Sequence, residues 1–271
     1  MAYNHNPLRV GFIGWGAINR RVASLLAERQ REKVSFVAVC LRDLAEAVDL
    51  PGAAEVISEP SSLAELELDI VIEAAGRAAV AEWGEAALSN AGALAVASAS
   101  AFCDDDLLEL LLRTANEHGS QLLIPSGALA GIDAIAAASA LSLEEVLHRI
   151  VKPPHAWSGT AAEALFDLAA ITKAETFFRG PAREAASGFP QNANVAVISA
   201  LAGIGLDKTL VELVADPFAK GNRHELIVRG EFGNLNISIE NRPLASNPKS
   251  SDMAALSLVR LVENRILAFV R

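Results

Sequence analysis

Residues 11–21 read GFIGWGAINRR. An apolar run, Leu8–Ile13, leads into this stretch, and helical periodicity from about Ala17 to Arg29 leads out of it. A glycine bend between a strand and a helix is where a βαβ unit holds a phosphate. Gly14 permits the tight turn, Gly16 lets backbone approach a pyrophosphate, and the helix N-terminus supplies free N–H groups and a partial positive charge. Asn19 stands where the third glycine of such a fingerprint belongs. By itself the spacing also fits a purely structural strand–helix turn, so the downstream pattern decides between them.

Beyond the bend, apolar runs recur with helical stretches between them. Val34–Cys40 (VSFVAVC), Val56–Ile57, Asp69–Glu73 (DIVIE), Leu94–Ala97 and Leu122–Ile124 read as strands. Helices are expected from AAGRAAV through Ala87 and over Leu107–His118, the latter with Asp104–Asp106 at its positive end. This βαβ alternation predicts an α/β fold, a Rossmann doubly wound parallel sheet. After residue 125 the character changes. His148–Lys152, Glu225–Gly230 and Asn234–Glu240 suggest an antiparallel, half-exposed sheet, with helices at Ala161–Thr172 and Val195–Leu201 and a last helix at Met253–Val270. The expected organisation is a dinucleotide-binding domain over 1–124, to which a C-terminal helical segment, 245–271, returns. An inserted α+β catalytic domain occupies 125–244.

Composition narrows the partners. Hydrophobic residues make up 52% of the 271 and aromatics only 5%, which suits helices packed on a parallel sheet. The formal charge is −10 and no Lys/Arg run occurs, so no nucleic acid partner is expected. An anionic substrate would need a local cluster of cations against that background. The two cysteines imply no structural disulfide. MAYNHNPLRV lacks the pattern of a signal peptide. The apolar stretch Leu122–Leu141 is broken by Pro125, Gly127, Gly131 and Asp133, so no membrane partner is expected either. The chain reads as soluble and cytoplasmic.

The second strand ends Cys40-Leu41-Arg42-Asp43. Leu41 cannot accept hydrogen bonds from an adenosine ribose. Arg42 can pair with a 2′-phosphate, and Asp43 is the alternative acceptor, so the cofactor stays open between NAD and NADP. In Glu73-Ala74-Ala75-Gly76, the small residues Ala75 and Gly76 either leave room for the cofactor or serve helix–sheet packing. Among five histidines, His5 lies at the terminus, His118 closes a helix, His148 sits in a strand, His155 follows a double proline, and His224 lies where a polar loop enters a strand. Residue chemistry favours His224 only weakly. Cys103 precedes a helix but is followed by three aspartates, which oppose a thiolate. No spacing supports a metal site.

Several segments together resemble the L-aspartate dehydrogenase family: IPSGALAGIDAI (124–135), VKPPHAWSGTAAEAL (151–165), FRGPAREAASGFPQNANVAV (178–197), LAGIGLDKTLVELVADP (201–217), NRHEL (222–226) and NPKSS (247–251). The resemblance spans nearly the whole chain in order. It implies that His224 is the catalytic histidine, that Gly14, Gly16, Ala17 and Ile18 form the phosphate turn, and that Ala128 and Asn194 contact the cofactor. Two positions depart from the family pattern: Asn19 in place of a glycine, and Leu41 in place of an aspartate. The implied reaction is oxidation of L-aspartate to iminoaspartate by hydride transfer to nicotinamide. The two substrate carboxylates would call on Lys249, Ser250 and Lys152, with Asn192 as a further hydrogen-bonding residue. An exposed sheet in the second domain would suit a homodimer. The alternatives are a dehydrogenase acting on homoserine or a cyclic imine, and a non-catalytic NADP-binding redox sensor that would need neither His224 nor paired cations.

Overall fold

The computed structural model describes residues 6–164 and 166–270. The chain divides into two compact units, Met1–Pro125 with Ala254–Arg271, and Ser126–Met253.

In the first unit, β1 (Leu8–Ile13), α1 (Ala17–Arg29), β2 (Val34–Cys40), β3 (Glu55–Ile57), β4 (Ile70–Glu73), α2 (Arg77–Asn90), β5 (Ala93–Val96), α3 (Asp105–His118) and β6 (Gln121–Leu123) follow in turn. The strands form one parallel sheet in the order β3-β2-β1-β4-β5-β6. That is the Rossmann order, with the chain reversing direction across the sheet between β1 and β4. β4 and β5 are buried along their whole length, which is why each reads as an uninterrupted apolar run. One face packs Val10, Phe12, Ile70 and Ile72 against Val22 and Leu26 of α1. The last helix of the chain adds Ala255, Leu258, Val259 and Val262 to the same core.

The second unit holds α4 (Ile132–Ala138), β7 (Leu143–Lys152), β8 (Glu175–Pro181), α5 (Ala182–Gly188), α6 (Ala193–Ala202), β9 (Leu210–Ala215), β10 (Asn222–Gly230), β11 (Gly233–Asn241), β12 (Pro243–Leu244) and β13 (Asn247–Ser251). Its five-stranded sheet runs β11-β10-β7-β9-β8, and β12 pairs with β13 alone. This sheet is mixed, where an antiparallel one was expected: β7 and β9 lie parallel, with His148 opposite Val211 and Lys152 opposite Ala215.

Two helices differ from expectation. In place of a helix over 161–172 there is a 3-10 turn at Ala161–Ala164, then a turn and bends over 166–170. Side chains there satisfy the backbone locally: Thr160 Oγ1 accepts from Ala162 N, and Asp167 Oδ1 accepts from Ala169 N. The terminal helix, α7, spans Asp252–Ile266 and stops before Val270. Among the described residues no helix is long and apolar enough to cross a membrane.

Candidate active site

The glycine bend of the first unit is built as its sequence requires. Gly14 has φ +81°, and its N–H donates to Cys40 O at 2.9 Å, tying the turn to the end of β2. A methyl group on Gly14 would lie 2.6 Å from Cβ of Ala75, so the bend also depends on close approach to the chain leaving β4. Gly16 caps α1 in an extended conformation, and nothing lies within 4 Å of where its Cβ would be. That open space, above the first N–H groups of α1, fits a pyrophosphate. Ala17 opens the helix, while the Ile18 side chain packs against the core.

Asn19 explains how the turn does without its third glycine. The side chain is fully buried, and Nδ2 donates to the carbonyls of Ile13 (3.0 Å) and Gly14 (2.8 Å), the last groups before the bend. Two hydrogen bonds thus hold strand and turn where a glycine would only have permitted close packing.

Across the bend stands a group that sequence reasoning passed over. Glu73, fully buried at the end of β4, accepts through Oε1 from Ala75 N (2.7 Å), Gly76 N (2.8 Å) and Ser98 Oγ (2.8 Å), and through Oε2 from Ser98 N (3.1 Å). Burial pushes its carboxyl upward, and the donors from Gly76, Ala75 and Ser98 pull it back. The carboxylate holds the Ala75–Gly76 corner in place, and Gly76, at φ +123°, starts α2. Gly14, Gly16, Arg42, Asp43, Ala75 and Gly76 line one crevice of about 670 Å³. Within it Arg42 is exposed, Asp43 turns an oxygen to Ala45 N (2.9 Å), and Leu41 is buried in the core below. The residues therefore fit a dinucleotide, and the crevice offers two arginines to it, Arg42 and Arg77.

The second unit gathers a different set on one face of its sheet. His148 pairs with Leu226 and His224 with Ile150 in the β7–β10 ladder. Alternation along the strands then puts His148, Lys152 and His224 on the same face. His148 Nε2 lies 3.2 Å from His224 Nδ1, and His148 Nδ1 lies 2.9 Å from Ser199 Oγ of α6. Both rings are buried. Burial, and next the Lys152 charge, push the His224 imidazole down to about 3. Burial also lowers Lys152 to about 8. The Lys152 ammonium sits 4.9 Å from the centre of the Trp157 ring. Among the described residues, no carboxylate comes within ion-pair distance of Lys152.

The 126–131 loop is wedged against the same elements. A Cβ on Gly127 would come within 2.9 Å of Ile198 Cδ1 in α6, and one on Gly131 would run into Ile237 of β11. Ala128 O accepts from Asn241 Nδ2 at 2.8 Å. Asn192 and Asn194 stand at the start of α6. Asn192 is buried, and its Nδ2 finds no acceptor among the described residues. Ser250 accepts from Asn247 Nδ2 at 3.2 Å within β13, a strand inside the 245–271 segment that was expected to be helical. The side chain of Lys249 lies outside the described residues, as does His5. His155 lies in a 3-10 turn, and His118 ends α3. Neither Cys40 nor Cys103 forms a disulfide, and burial raises the Cys40 thiol to about 12. No group of potential metal ligands occurs among the described residues.

A Rossmann sheet opening on a phosphate-sized glycine bend, in a chain whose other unit buries a histidine pair beside a lysine, belongs to the class of NAD(P)-dependent oxidoreductases. Comparison with known proteins narrows the class. Residues 14–125 match the family described as homoserine dehydrogenase, NAD binding domain, and residues 133–265 match aspartate dehydrogenase, C-terminal. L-aspartate dehydrogenase of Brucella anthropi is 54% identical over 259 residues, covering 95% of this chain and 96% of that protein. The Serratia proteamaculans enzyme of the same name is 41% identical over 267 residues, covering 96% and 99%. The crystal structure of aspartate dehydrogenase from Thermotoga maritima superposes with a TM-score of 0.78 at 25% identity, over 98% of this chain and all of that one. The chain belongs to the L-aspartate dehydrogenase family.

Proposed function

We propose that the chain oxidises L-aspartate to iminoaspartate, with the first unit binding NAD or NADP and the second carrying the substrate chemistry. The observation that carries this reading is Lys152, a buried ammonium with no counter-ion among the described residues, on the sheet face that holds His224. A buried unpaired charge is costly, and an anionic ligand relieves it. Asn192, with an unsatisfied buried Nδ2 at the start of α6, supplies a second donor for a substrate carboxylate. Lys249 and Ser250 are proposed at the second carboxylate on the strength of the family resemblance alone.

Bound at the crevice, the dinucleotide would rest on Gly14, Gly16 and the N-terminus formed by Ala17 and Ile18, with Arg42, Ala75 and Gly76 around it; the family resemblance adds Ala128 and Asn194 as cofactor contacts. When bound, it supplies the acceptor for the hydride leaving Cα. The chain itself handles the proton. Hydride loss from a carbon bearing an ammonium group is unfavourable, so the substrate nitrogen must first become neutral. His224 is neutral at physiological pH because of its burial and the Lys152 charge, and therefore has a lone pair to accept that proton. A substrate carboxylate against Lys152 offsets the charge that depresses the imidazole, so its basicity rises as the site fills. The same imidazole can later direct water at the imine carbon. The product hydrolyses to oxaloacetate and ammonia or passes on toward pyridine nucleotide synthesis, and the reverse reduction uses the same groups.

We place the chain in the cytoplasm as a homodimer. The dimer is supported by the other face of the mixed sheet, a half-exposed surface of paired charges from Arg149, Glu212, Glu225 and Arg223. A redox sensor has no use for a histidine pair beside an unpaired lysine. Initial rates with L-aspartate, homoserine and a cyclic imine, each with NAD and NADP in parallel, test the assignment. His224→Ala is expected to abolish turnover while dinucleotide binding stays within a few-fold. Near-normal rates in that variant would remove His224 from the chemistry.

A further inference from the structure

We propose that His148 and Ser199 are positioning residues that fix the tautomer of His224, leaving its Nε2 as the bare nitrogen that meets the substrate. The inference rests on the reading of His224 as the base.

The direction of each hydrogen bond is set from the outermost acceptor inward. Ser199 Oγ lies 3.0 Å from Ala196 O, and a carbonyl only accepts, so the Ser199 proton points there. Ser199 Oγ must then accept from His148 Nδ1–H across 2.9 Å. His148 is wholly buried, and burial followed by the His224 ring holds it well below the usual imidazole range. A neutral His148 with its proton on Nδ1 is bare at Nε2. Across 3.2 Å that nitrogen accepts from His224 Nδ1–H. His224 therefore keeps its proton on Nδ1 and its lone pair on Nε2.

Without such a partner, a neutral imidazole exchanges its proton between the two nitrogens, and one of those forms is useless as a base. The relay also bears on the charged state. When Nε2 takes the substrate proton, His224 becomes an imidazolium whose Nδ1–H is already bonded to a neutral acceptor. No proton needs to pass to His148. An aspartate in that place would stabilise the imidazolium more strongly, but its fixed negative charge would compete with a dianionic substrate for Lys152. A neutral histidine orients the ring without that competition.

The test compares His148→Leu, His148→Gln and Ser199→Ala. Each is assayed for kcat and KM with L-aspartate, NADPH binding by fluorescence, and thermal stability. Long-range ¹H–¹⁵N imidazole spectra of the wild type, assigned against His224→Gln, report which nitrogen of His224 carries the proton. Loss of a group that orients an active imidazole costs about 10- to 100-fold in activity, so His148→Leu is expected to lower kcat by that factor, with KM and NADPH binding within about three-fold. Gln Oε1 can occupy the place of His148 Nε2 and accept the same hydrogen bond, so His148→Gln is expected to recover most of the loss. Ser199→Ala is expected to fall between. A wild-type spectrum with the proton on His224 Nε2 would overturn the relay, even if His148→Leu failed to fold. So would equal kcat in the Leu and Gln variants. Full activity in His224→Ala with a wild-type proton on Nδ1 would instead refute the base while leaving the relay intact.

Discussion

Gly14 and Gly16 stand two residues apart in one bend, yet they should respond oppositely to the same added methyl group. At Gly14 the penalty lies in the folded protein itself. The backbone is at φ +81°, where an L side chain costs about 1–2 kcal/mol. The new Cβ would stand 2.6 Å from Cβ of Ala75 and 3.2 Å from its Cα, and forcing a methyl into packed space costs about 1–3 kcal/mol more. Gly14→Ala should therefore destabilise by roughly 2–5 kcal/mol, which at about 2–4 °C per kcal/mol for a chain of this size lowers Tm by about 5–15 °C. At Gly16 the backbone is extended (φ −84°, ψ −174°) and nothing lies within 4 Å of the added atom. Only the weaker capping ability of alanine remains, at most about 1 kcal/mol. The Gly16 methyl stands where a pyrophosphate must approach, so Gly16→Ala should keep a near-native Tm and weaken NADPH binding by more than about ten-fold, the equivalent of about 1.4 kcal/mol. Differential scanning fluorimetry without ligand and fluorescence titration with NADPH separate the two. Equal losses of Tm in both variants, or native NADPH affinity in Gly16→Ala, would refute this division of labour.

Single contacts set the other expectations. Glu73→Ala leaves three backbone N–H groups and a hydroxyl without their acceptor, so it should lose about 3–5 kcal/mol by denaturant unfolding, while Glu73→Gln should lose less. Asn19→Gly restores the usual fingerprint yet removes two buried hydrogen bonds, and should destabilise by about 2 kcal/mol in the same measurement. Lys152 titrates at about 8 in the folded chain against 10.5 ordinarily, so between those values the unfolded chain binds the extra proton and stability rises with pH. Below pH 8 the full cost, about 3 kcal/mol, is present. Lys152→Met should therefore be more stable than wild type at pH 7, lose that advantage as pH passes from 8 to 10.5, and turn over L-aspartate poorly. Unfolding curves at both ends of that range, with rates at neutral pH, decide it.

The first unit was legible because its signals are local. Each parallel strand is a short apolar run between turns, and the order of elements alone specifies the sheet. The second unit hid β9 for a physical reason. That strand reads LVELVA, and Glu212 interrupts what would otherwise be an apolar run. Glu212 is nevertheless buried, because Arg149 of β7 and Arg179 of β8 reach it at 2.8 and 3.4 Å. Partners from other strands make a charge tolerable there, and such partners are invisible to periodicity. The helix expected at 161–172 failed in the opposite sense, since its composition favoured a helix while Thr160 and Asp167 supplied competing local hydrogen bonds. The relay on His224 was equally out of reach. Its members stand 51 and 76 residues apart, and only the β7–β10 register sets His148 diagonal to His224.

What distinguishes the candidate site from the rest of the sheet is visible on a single strand. β7 carries Arg149 and Lys152 on opposite faces. Arg149 meets Glu212 and Glu225, and those carboxylates hold its guanidinium above the usual range. Lys152, three residues on, is more deeply buried, with the Trp157 indole beside it, the His224 imidazole within reach of its charge and no carboxylate at ion-pair distance among the described residues. The chain has 33 acidic residues to 23 basic ones, so a counter-ion for Lys152 was not scarce. In a chain with that surplus, a buried lysine with no carboxylate at ion-pair distance among the described residues leaves a deficit that a dicarboxylic substrate would fill. Supplying the missing carboxylate from within, by Ile150→Glu beside His224, should therefore raise the Lys152 pKa and inhibit turnover in proportion. If aspartate oxidation survived that internal competitor with an unchanged KM, the substrate would have to bind elsewhere on the unit.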